Sequence, residues 1–322
     1  MQVVMDEPLV SIVCEVYNHE PFIRQCLDGF VMQQTTFPFE ILVHDDASTD
    51  GSADIIREYE AKHPGLFKPI YQTENKYSKG VNIWAEIQFP RARGKYIAIC
   101  EGDDFWTDPL KLQKQVDFLE SHDDYVMCCS AFSQSFEVEE QAKTTILFDL
   151  DEITIDNILK GQWIGTLTTI FRKDAISDYV VPLANLPMGD LPLWGHLALK
   201  GRIHYLNDVT ANYRRLESSA CHAKDEKQQS VFDLAAMKVR EYYAIKSDRS
   251  NVVRSSFSKQ SHFIFDRLYN NNWNDFPVDD LWHFIKEYGN PSGYDKLKYW
   301  GLKSRINYLV SKLILKIKNK KY

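Results

Sequence analysis

The chain has 322 residues, of which 44% are hydrophobic and 13% aromatic; this composition is typical of a packed globular protein and excludes a disordered chain. The formal net charge is −7, and this acidic balance argues against a nucleic-acid partner. The charge is uneven, because residues 296–322 carry nine Lys or Arg and no acid, which leaves a net charge of −16 on the other residues. The length allows one large domain, or one domain with a smaller appendage.

The first residues, MQVVMDEPLVSIVCEVYN, do not read as a signal peptide, because they lack a basic start and acids interrupt the apolar stretch. No run of residues is long and apolar enough to span a membrane. The six cysteines include no CxxC pair. We therefore expect reduced, buried thiols in a cytoplasmic protein.

The first 135 residues alternate strand-like and helix-like segments. Hydrophobic spacing predicts strands at 9–17, 39–46, 67–73, 95–100 and 124–132, and helices at 21–34 and 48–63 and after Asp108, which is expected to cap its helix. This order predicts an α/β fold, with a mostly parallel sheet and helices on both faces.

The second half has a weaker pattern. It predicts a strand at 165–176, a helix at 189–201, and a strand, turn and short strand within 202–215. Beyond residue 222 apolar residues recur at helical spacing. We therefore divide the chain into an α/β domain, residues 1–222, and a helical region, residues 223–322.

Two predicted strands end in acids. The second ends in Asp45 and Asp46, and the fourth runs into Glu101, Asp103 and Asp104. Ligands of open parallel sheets bind beyond the carboxyl ends of the strands, so both groups should lie at one edge. Oxygen ligands without nearby His or Cys suit Mg²⁺ or Mn²⁺, which neutralises charge on a leaving phosphate. The alternative is that these acids only cap turns and helices.

Three stretches carry a resemblance that covers roughly residues 8–220. They are LVSIVCEVYNHEPFIRQCLDGFVMQQ, FEILVHDDASTDGSADII and GKYIAICEGDDFWTDPLKLQKQVDFLE. Their order and spacing resemble the successive motifs of the family 2 glycosyltransferases. The resemblance implies a GT-A fold for the catalytic domain 1–222 and an inverting reaction on a nucleotide-sugar donor.

The same resemblance implies roles for individual residues in the binding of the donor. Tyr17 would pack against the nucleotide base, and Asp46 would hydrogen-bond the uracil ring. Asp103 would lie near the ribose, and Asp104 would coordinate the metal under the diphosphate. Glu15 departs from the family pattern, in which a small or hydroxylated residue is usual, and so leaves the choice of nucleotide open.

Asp190, in the segment PMGDLPLWGHLAL, matches the family's catalytic base, which takes the proton from the acceptor hydroxyl. The alternative is that it only caps its helix. In the segment 211–222, Arg214, Arg215 and His222 are candidates for closing over the diphosphate, because Arg matches two phosphate oxygens; alternatively, they are ordinary surface residues.

Two further features carry open alternatives. Trp106 and Trp194 could stack on sugar rings or simply pack in the core. Residues 302–322 have an apolar stripe among lysines and arginines, which suits either a helix lying on an anionic membrane surface or a terminal helix packed on the acidic body. The stripe consists of Leu302, Ile306, Leu309, Leu313 and Ile317.

The sequence therefore favours a metal-dependent glycosyltransferase of bacterial surface polysaccharide synthesis. We expect a UDP-sugar donor and a glycan or lipid-linked glycan acceptor, in a cytoplasmic protein with peripheral contact to the inner face of the membrane. One alternative is a nucleotidyltransferase, although YNHEPF stands where a Gly-, Arg- or Lys-rich phosphate loop is usual. The other is a non-catalytic sugar-nucleotide-binding protein.

Overall fold

The computed structural model describes residues 7–136, 139–146, 148–216, 225–271, 273 and 276–319. The chain divides into two compact units, residues 1–219 and residues 220–322. The first unit contains the strands β1 (Val10–Val16), β2 (Phe39–Asp45), β3 (Ile70–Tyr71), β4 (Tyr96–Ile99), β5 (Phe105–Trp106), β6 (Tyr125–Phe136), β7 (Glu139–Ile146), β8 (Glu152–Ile153), β9 (Ile170–Arg172) and β10 (Arg202–Arg215). Its α-helices are α1 (Ile23–Val31), α2 (Ser52–Lys62), α3 (Phe89–Arg91), α4 (Lys111–Ser121), α5 (Ile155–Leu159) and α6 (Asp190–Lys200).

The described strands form one ten-stranded sheet in the order β3-β2-β1-β4-β9-β6-β10-β5, with β7 beside β6 and β8 beside β10. β1 pairs in parallel with β2 on one side and with β4 on the other. β9 runs antiparallel between β4 and β6. The mostly parallel sheet predicted from the sequence is confirmed, and it brings the carboxyl ends of β1, β2 and β4 to one edge.

Both faces of the sheet are buried, which explains why apolar residues predominate in the central strands. Side chains alternate between the faces: Ile12 and Cys14 join the core under α1, α2 and α4, whereas Val13 joins the core under α6. The five cysteines whose positions the structure describes are free and buried, as predicted. Cys221 lies outside the described residues.

Several predicted boundaries were wrong. Asp108 does not cap α4, which begins at Lys111; its carboxylate accepts a hydrogen bond, 2.9 Å long, from the amide of Leu110, the residue just before the helix. The segment 165–176 has only a three-residue strand, β9, between two 3₁₀ turns. The segment 202–215 is a single strand, β10, whose register against β6 shifts after Leu206. Asn207 and Asp208, which predicted a turn, form a bulge without partners in β6, and the pairing resumes at Val209.

The second unit is helical, as predicted, with α7 (Glu226–Lys246), α8 (Ser250–Asn271), α9 (Val278–Tyr288), α10 (Gly293–Leu302) and α11 (Arg305–Asn319). Its core includes an edge-on contact between Phe257 and Phe284, whose ring centroids lie 5.3 Å apart. No helix among the described residues is both long enough and apolar enough to cross a bilayer.

The helix α11 packs by one face and exposes another. On the packed face, the Ser311 hydroxyl lies 2.7 Å from the hydroxyl of Tyr269 in α8, and Leu315 is buried. On the other face, Leu309 and Leu313 are 62% and 59% exposed. Leu302, at the end of α10, is buried, and the side chains of Ile306 and Ile317 lie outside those described. The two stripe residues of α11 whose side chains the structure describes, Leu309 and Leu313, are therefore exposed.

A fully buried lysine, Lys111, stands at the start of α4. Its ammonium donates to Gln115 Oε1 at 2.8 Å and lies 4.3 Å from the centre of the Trp106 ring. Burial lowers the pKa of Lys111 to about 8, against the opposing effect of nearby thiols and Asp108. The folded protein therefore binds this proton less tightly than the unfolded chain does.

We expect stability to depend on the titration of Lys111 between pH 8 and the ordinary lysine pKa. In this range the unfolded chain keeps the proton and the folded protein loses it, so wild-type stability rises with pH relative to Lys111→Met. The gain should reach roughly 2–3 kcal/mol by pH 10, measured by urea unfolding. In the control, Lys114→Met, no such gain is expected, because hydrogen bonds to Asp108 and Asp208 raise the pKa of Lys114. A difference that does not change with pH would contradict the shifted pKa.

Candidate active site

The carboxyl ends of β1, β2 and β4 bring the predicted donor-binding residues to one edge of the sheet. Val16 stands opposite Asp45 in the parallel register. The amide of Asp46 donates to Val16 O at 2.9 Å, and the amide of Gly102 donates to Glu15 O at 2.9 Å. Tyr17, directly after β1, is 46% exposed. The ends of these strands are therefore joined by backbone hydrogen bonds.

The loops after β1 and β2 are tied to each other by side chains. The amide of Asn18 donates to Ser48 Oγ at 2.9 Å, and Asn18 Oδ1 accepts from the amide of Thr49 at 2.7 Å. The amide of His19 donates to Ser52 Oγ at 2.9 Å. The serine hydroxyls of STDGS thus join the loops, and α2 begins after Gly51 with no side-chain cap.

Asp46 is buried and holds a neighbouring turn. Its carboxylate accepts hydrogen bonds from the amides of Lys76 and Tyr77, at 2.7 and 3.0 Å. These bonds fix the 3₁₀ turn Tyr77–Lys79 beside the edge. Each carboxylate oxygen has a second lone pair, so Asp46 can still accept from a nucleotide base. Its contact with uracil stays a prediction.

Carboxylates are crowded in the turn after β4. Burial raises the pKa of Glu101 to about 8, with further effects from the charges of Asp103 and Asp190. Burial also raises the pKa of Asp104 well above its usual range, and the charges of Asp103 and Glu101 add to this shift. The hydrogen bond and charge of Arg214 act in the opposite direction. The structure thus brings Asp190 close enough to act electrostatically on the acidic turn.

Glu15 extends this acidic group toward β2. Burial raises its pKa, and the charges of Glu101 and Asp46 contribute to the shift. Two enclosed carboxylate oxygens, Glu15 Oε1 and Glu101 Oε2, have no hydrogen-bond partner. Such atoms are costly to bury, and together with the mutual repulsion they fit a site that receives a cation.

Among the described residues, no three His, Cys, Asp or Glu side chains converge as ligands of one metal ion. This does not conflict with a cation here, because Mg²⁺ is usually held by one or two carboxylates together with the phosphates of the substrate. Asp104 is the residue of the turn that fits such a site, which the donor diphosphate would complete.

Arg214 supports the acidic turn from β10. Its backbone amide donates to Asp104 Oδ1 at 2.7 Å, and its guanidinium donates to Asp103 O at 2.6 Å and to Gln25 Oε1. The guanidinium also lies 4.4 Å from the centre of the Phe105 ring. These contacts give Arg214 a structural role, and its contact with the donor stays a prediction.

The other candidates from the segment 211–222 are Arg215 and His222. Arg215 is exposed, and its guanidinium lies 5.8 Å from the centre of the Phe136 ring. His222 lies outside the described residues.

Gly102 is required by a close approach between the acidic turn and the loop after β1. A Cβ at this position would lie 2.9 Å from His19 Nδ1 and from Val16 Cγ2. His19 Nδ1 is itself enclosed and has no hydrogen-bond partner. The glycine between Glu101 and the two aspartates was the sequence signal for this contact, which the sequence analysis did not use.

Asp190 is the first residue of α6, and its Oδ1 accepts from the amide of Leu191 at 2.7 Å. Burial raises the pKa of Tyr179, and the charge of Asp190 adds to that shift. Three enclosed donors in this region lack an acceptor: the Tyr179 hydroxyl and the indole nitrogens of Trp84 and Trp194. The ring of Trp84 lies 3.4 Å from a Cβ placed on the neighbouring Gly189.

Trp106 and Trp194 are each 2% exposed and belong to the two cores. The indole of Trp106 donates to Leu167 O at 2.8 Å. Both tryptophans therefore pack in the interior, and neither presents a face on which a sugar could stack.

We expect Arg214→Ala to lower the free energy of unfolding by about 2–3 kcal/mol, because it removes charge-assisted hydrogen bonds that brace a buried acidic turn. The matched control, Arg215→Ala, removes an exposed neighbour of the same type and should change stability by less than ~0.5 kcal/mol. Urea unfolding at neutral pH measures both. Equal effects of the two substitutions would contradict the bracing role of Arg214.

The chain is similar to a known family and to individual proteins. The family model described as Glycosyl transferase family 2 matches residues 11–178. An uncharacterised protein of Mycobacterium tuberculosis is 37% identical over 221 residues, which are 66% of this chain and 61% of that protein. WfaP of Escherichia coli, named a UDP-Glc:alpha-D-GlcNAc-diphosphoundecaprenol beta-1,3-glucosyltransferase, is 25% identical over 68% of this chain and 82% of its own.

Solved structures show the same fold. Residues 1–349 of Staphylococcus aureus TarS, solved with UDP-GlcNAc, align with a TM-score of 0.66 at 17% identity, over 94% of this chain and 88% of that one. The mannosyltransferase PcManGT of Pyrobaculum calidifontis, solved with GDP-Man and Mn²⁺, aligns with a TM-score of 0.55 at 14% identity, over 98% of this chain and 89% of that one. The fold is that of GT-A glycosyltransferases, and the chain belongs to glycosyl transferase family 2.

Proposed function

We propose that this glycosyltransferase transfers a sugar, with inversion, from a UDP-sugar to a hydroxyl of a glycan or lipid-linked glycan in surface polysaccharide synthesis. The observation that carries the proposal is the crowding of Glu15, Glu101 and Asp104 at the edge where β1, β2 and β4 end, with two enclosed carboxylate oxygens left without a hydrogen-bond partner, in a chain of this family. The chain matches 61% of the length of the mycobacterial relatives. Within the chain, we assign catalysis to residues 1–222.

The donor would lie along the edge formed by β1, β2 and β4. Tyr17 would pack against the base, Asp46 would accept from it, and Asp103 would contact the ribose. The exposure of Tyr17 and the position of all three beyond the strand ends support this arrangement. The names of WfaP and of the TarS complex, which contain UDP-Glc and UDP-GlcNAc, support uracil as the base.

Mn²⁺ or Mg²⁺, when bound, would neutralise charge on the departing diphosphate. Asp104 would hold the cation. The unpartnered oxygens of Glu15 and Glu101 support a net need for positive charge at this place, and the Mn²⁺ in the PcManGT complex is consistent with it.

Asp190 would act as the general base. Its carboxylate would accept the proton of the acceptor hydroxyl as the new C1–O bond forms and the bond from C1 to the diphosphate oxygen breaks on the opposite face. The start of α6 favours the ionised carboxylate there. The basic segment 211–222 would contribute at the diphosphate through Arg214, acting mainly by positioning Asp104, and through His222.

Donor hydrolysis tests the proposal directly. The wild-type protein, given Mn²⁺ and a set of nucleotide sugars, should release UDP from at least one UDP-sugar, and chelation of the metal should stop the release. In Asp104→Asn, calorimetry should detect no Mn²⁺-dependent binding of UDP. Equal UDP affinity in the variant and the wild type would remove Asp104 from the metal site.

Asp190→Asn separates chemistry from binding. This variant should bind UDP as the wild type does and should lose at least ~100-fold in turnover, the usual scale for a general base. Asp178→Asn is the control, because Asp178 is an exposed acid paired with Lys200 at the far end of α6. Near-normal turnover in Asp190→Asn would place the base elsewhere.

We further propose that residues 302–322 contact an anionic membrane surface. The exposed Leu309 and Leu313 would enter the interface, and the lysines of a segment without acids would meet the lipid headgroups. The opposite face of α11 is already packed through Ser311 and Leu315. If the acceptor is lipid-linked, such contact would bring the protein to the membrane that holds the acceptor.

Co-sedimentation with vesicles containing phosphatidylglycerol tests this contact. Wild-type protein should sediment at low salt and less at high salt, since each lysine near such a surface contributes about 1 kcal/mol. The double variant Leu309→Ser, Leu313→Ser should bind at least ~10-fold more weakly without a change in melting temperature. Ile245→Ser, at a similarly exposed site on α7, is the control. Wild-type protein that stays in the supernatant at low salt would contradict the proposal.

A further inference from the structure

Trp163 is a large aromatic residue that is held in place and yet exposed. It lies in the loop between α5 and the 3₁₀ turn Thr166–Thr168, and 40% of it is exposed. Its ring meets Phe132 and Tyr213 nearly at right angles, with centroids 5.0 and 5.4 Å apart. Such edge contacts fix the orientation of an aromatic ring, so the exposed part is a preformed surface.

Hydrogen bonds tie the segments that carry Tyr213 and Trp163 to the acidic turn and to the strand that follows it. Tyr213 directly precedes Arg214, whose amide donates to Asp104 at 2.7 Å. The chain after Trp163 reaches Leu167, whose carbonyl accepts from Trp106 at 2.8 Å, and Trp106 follows Asp104 by two residues. The surface is therefore fixed relative to the proposed site of bond formation.

The surface of Trp163 and the proposed pocket for the nucleotide base lie on opposite sides of the proposed site of bond formation. The sheet order places β2 and β1 on one side of β4, and β9, β6 and β10 on the other. Tyr17 and Asp46 follow β1 and β2, whereas Phe132 and Tyr213 belong to β6 and β10. A donor that extends from β2 to β4 leaves the β6 and β10 side for the acceptor.

We propose that Trp163, with Tyr213 beside it, is an acceptor subsite that stacks against one pyranose ring of the acceptor glycan. This inference rests on the proposed function. A pyranose ring presents a face of C–H groups that packs on an aromatic ring and leaves its hydroxyls at the rim to water. An indole supplies the largest such surface with little loss of conformational freedom. Trp163 would thus position the acceptor without contact with the reacting atoms.

Calorimetry with soluble tetrasaccharides tests the subsite, using cellotetraose, maltotetraose and chitotetraose in the presence of UDP and Mn²⁺. Wild-type protein should bind at least one of them. Trp163→Ala should raise its Kd roughly fivefold to tenfold, and Trp163→Phe should restore most of the loss. Trp300→Ala, which removes a tryptophan of similar exposure (43%) from α10, should bind as the wild type does.

Two results would overturn the subsite: failure of the wild type to bind any of the three tetrasaccharides, or equal affinity in Trp163→Ala and the wild type. Release of UDP from the donor by the wild type, measured without acceptor, tests the proposed function separately. A protein that hydrolyses the donor but shows either of these results keeps the proposed function and loses the subsite. If transfer to a bound tetrasaccharide is detected, Trp163→Ala should raise the acceptor KM much more than it lowers kcat.

Discussion

The amide of Arg214 donates a hydrogen bond to Asp104 across 110 residues of chain, and this contact holds the last strand of the sheet against its most acidic turn. Glu101, Asp103 and Asp104 are consecutive or nearly so, and two of them are buried strongly enough for their pKa values to rise. Repulsion of this kind favours an open turn unless donors and positive charge oppose it. Arg214 provides both, through its amide and its guanidinium.

The two sides of the acidic turn are built by different means. On the side of β1 and β2, reciprocal hydrogen bonds between loops, such as those joining Asn18 to Ser48 and Thr49, leave little freedom of motion. On the side of β6 and β10, aromatic rings around Trp163 make the contacts. Polar, directional bonds suit a site for a nucleotide, and aromatic surface suits a site for sugars. The difference follows the order of the strands in the sheet.

In the helical unit, the two faces of a single helix, α11, likewise have different roles. In α11 one face is committed to packing, through the hydroxyl contact between Ser311 and Tyr269, and another leaves Leu309 and Leu313 exposed. Because residues three and four apart share a helix face, one apolar pattern can encode both faces. The absence of acids from residues 296–322 then sets the sign of the charge that the exposed face presents.

The α/β fold class, the acidic strand ends and the family were determined by the sequence itself. Apolar runs such as 96–99, followed at once by acids, can only be central strands that end at a polar edge, and βα alternation makes them parallel. Only the tertiary structure decided what each side chain contacts. Hydrogen bonds such as Arg214 to Asp104 join residues far apart in the chain, and the burial that separates Trp106 and Trp194 from Trp163 depends on which residues pack above them. The sequence alone does not give the spatial neighbours or the exposure of a side chain. Only the structure therefore shows that Trp106 and Trp194 lie in the core and that Trp163 lies at the surface.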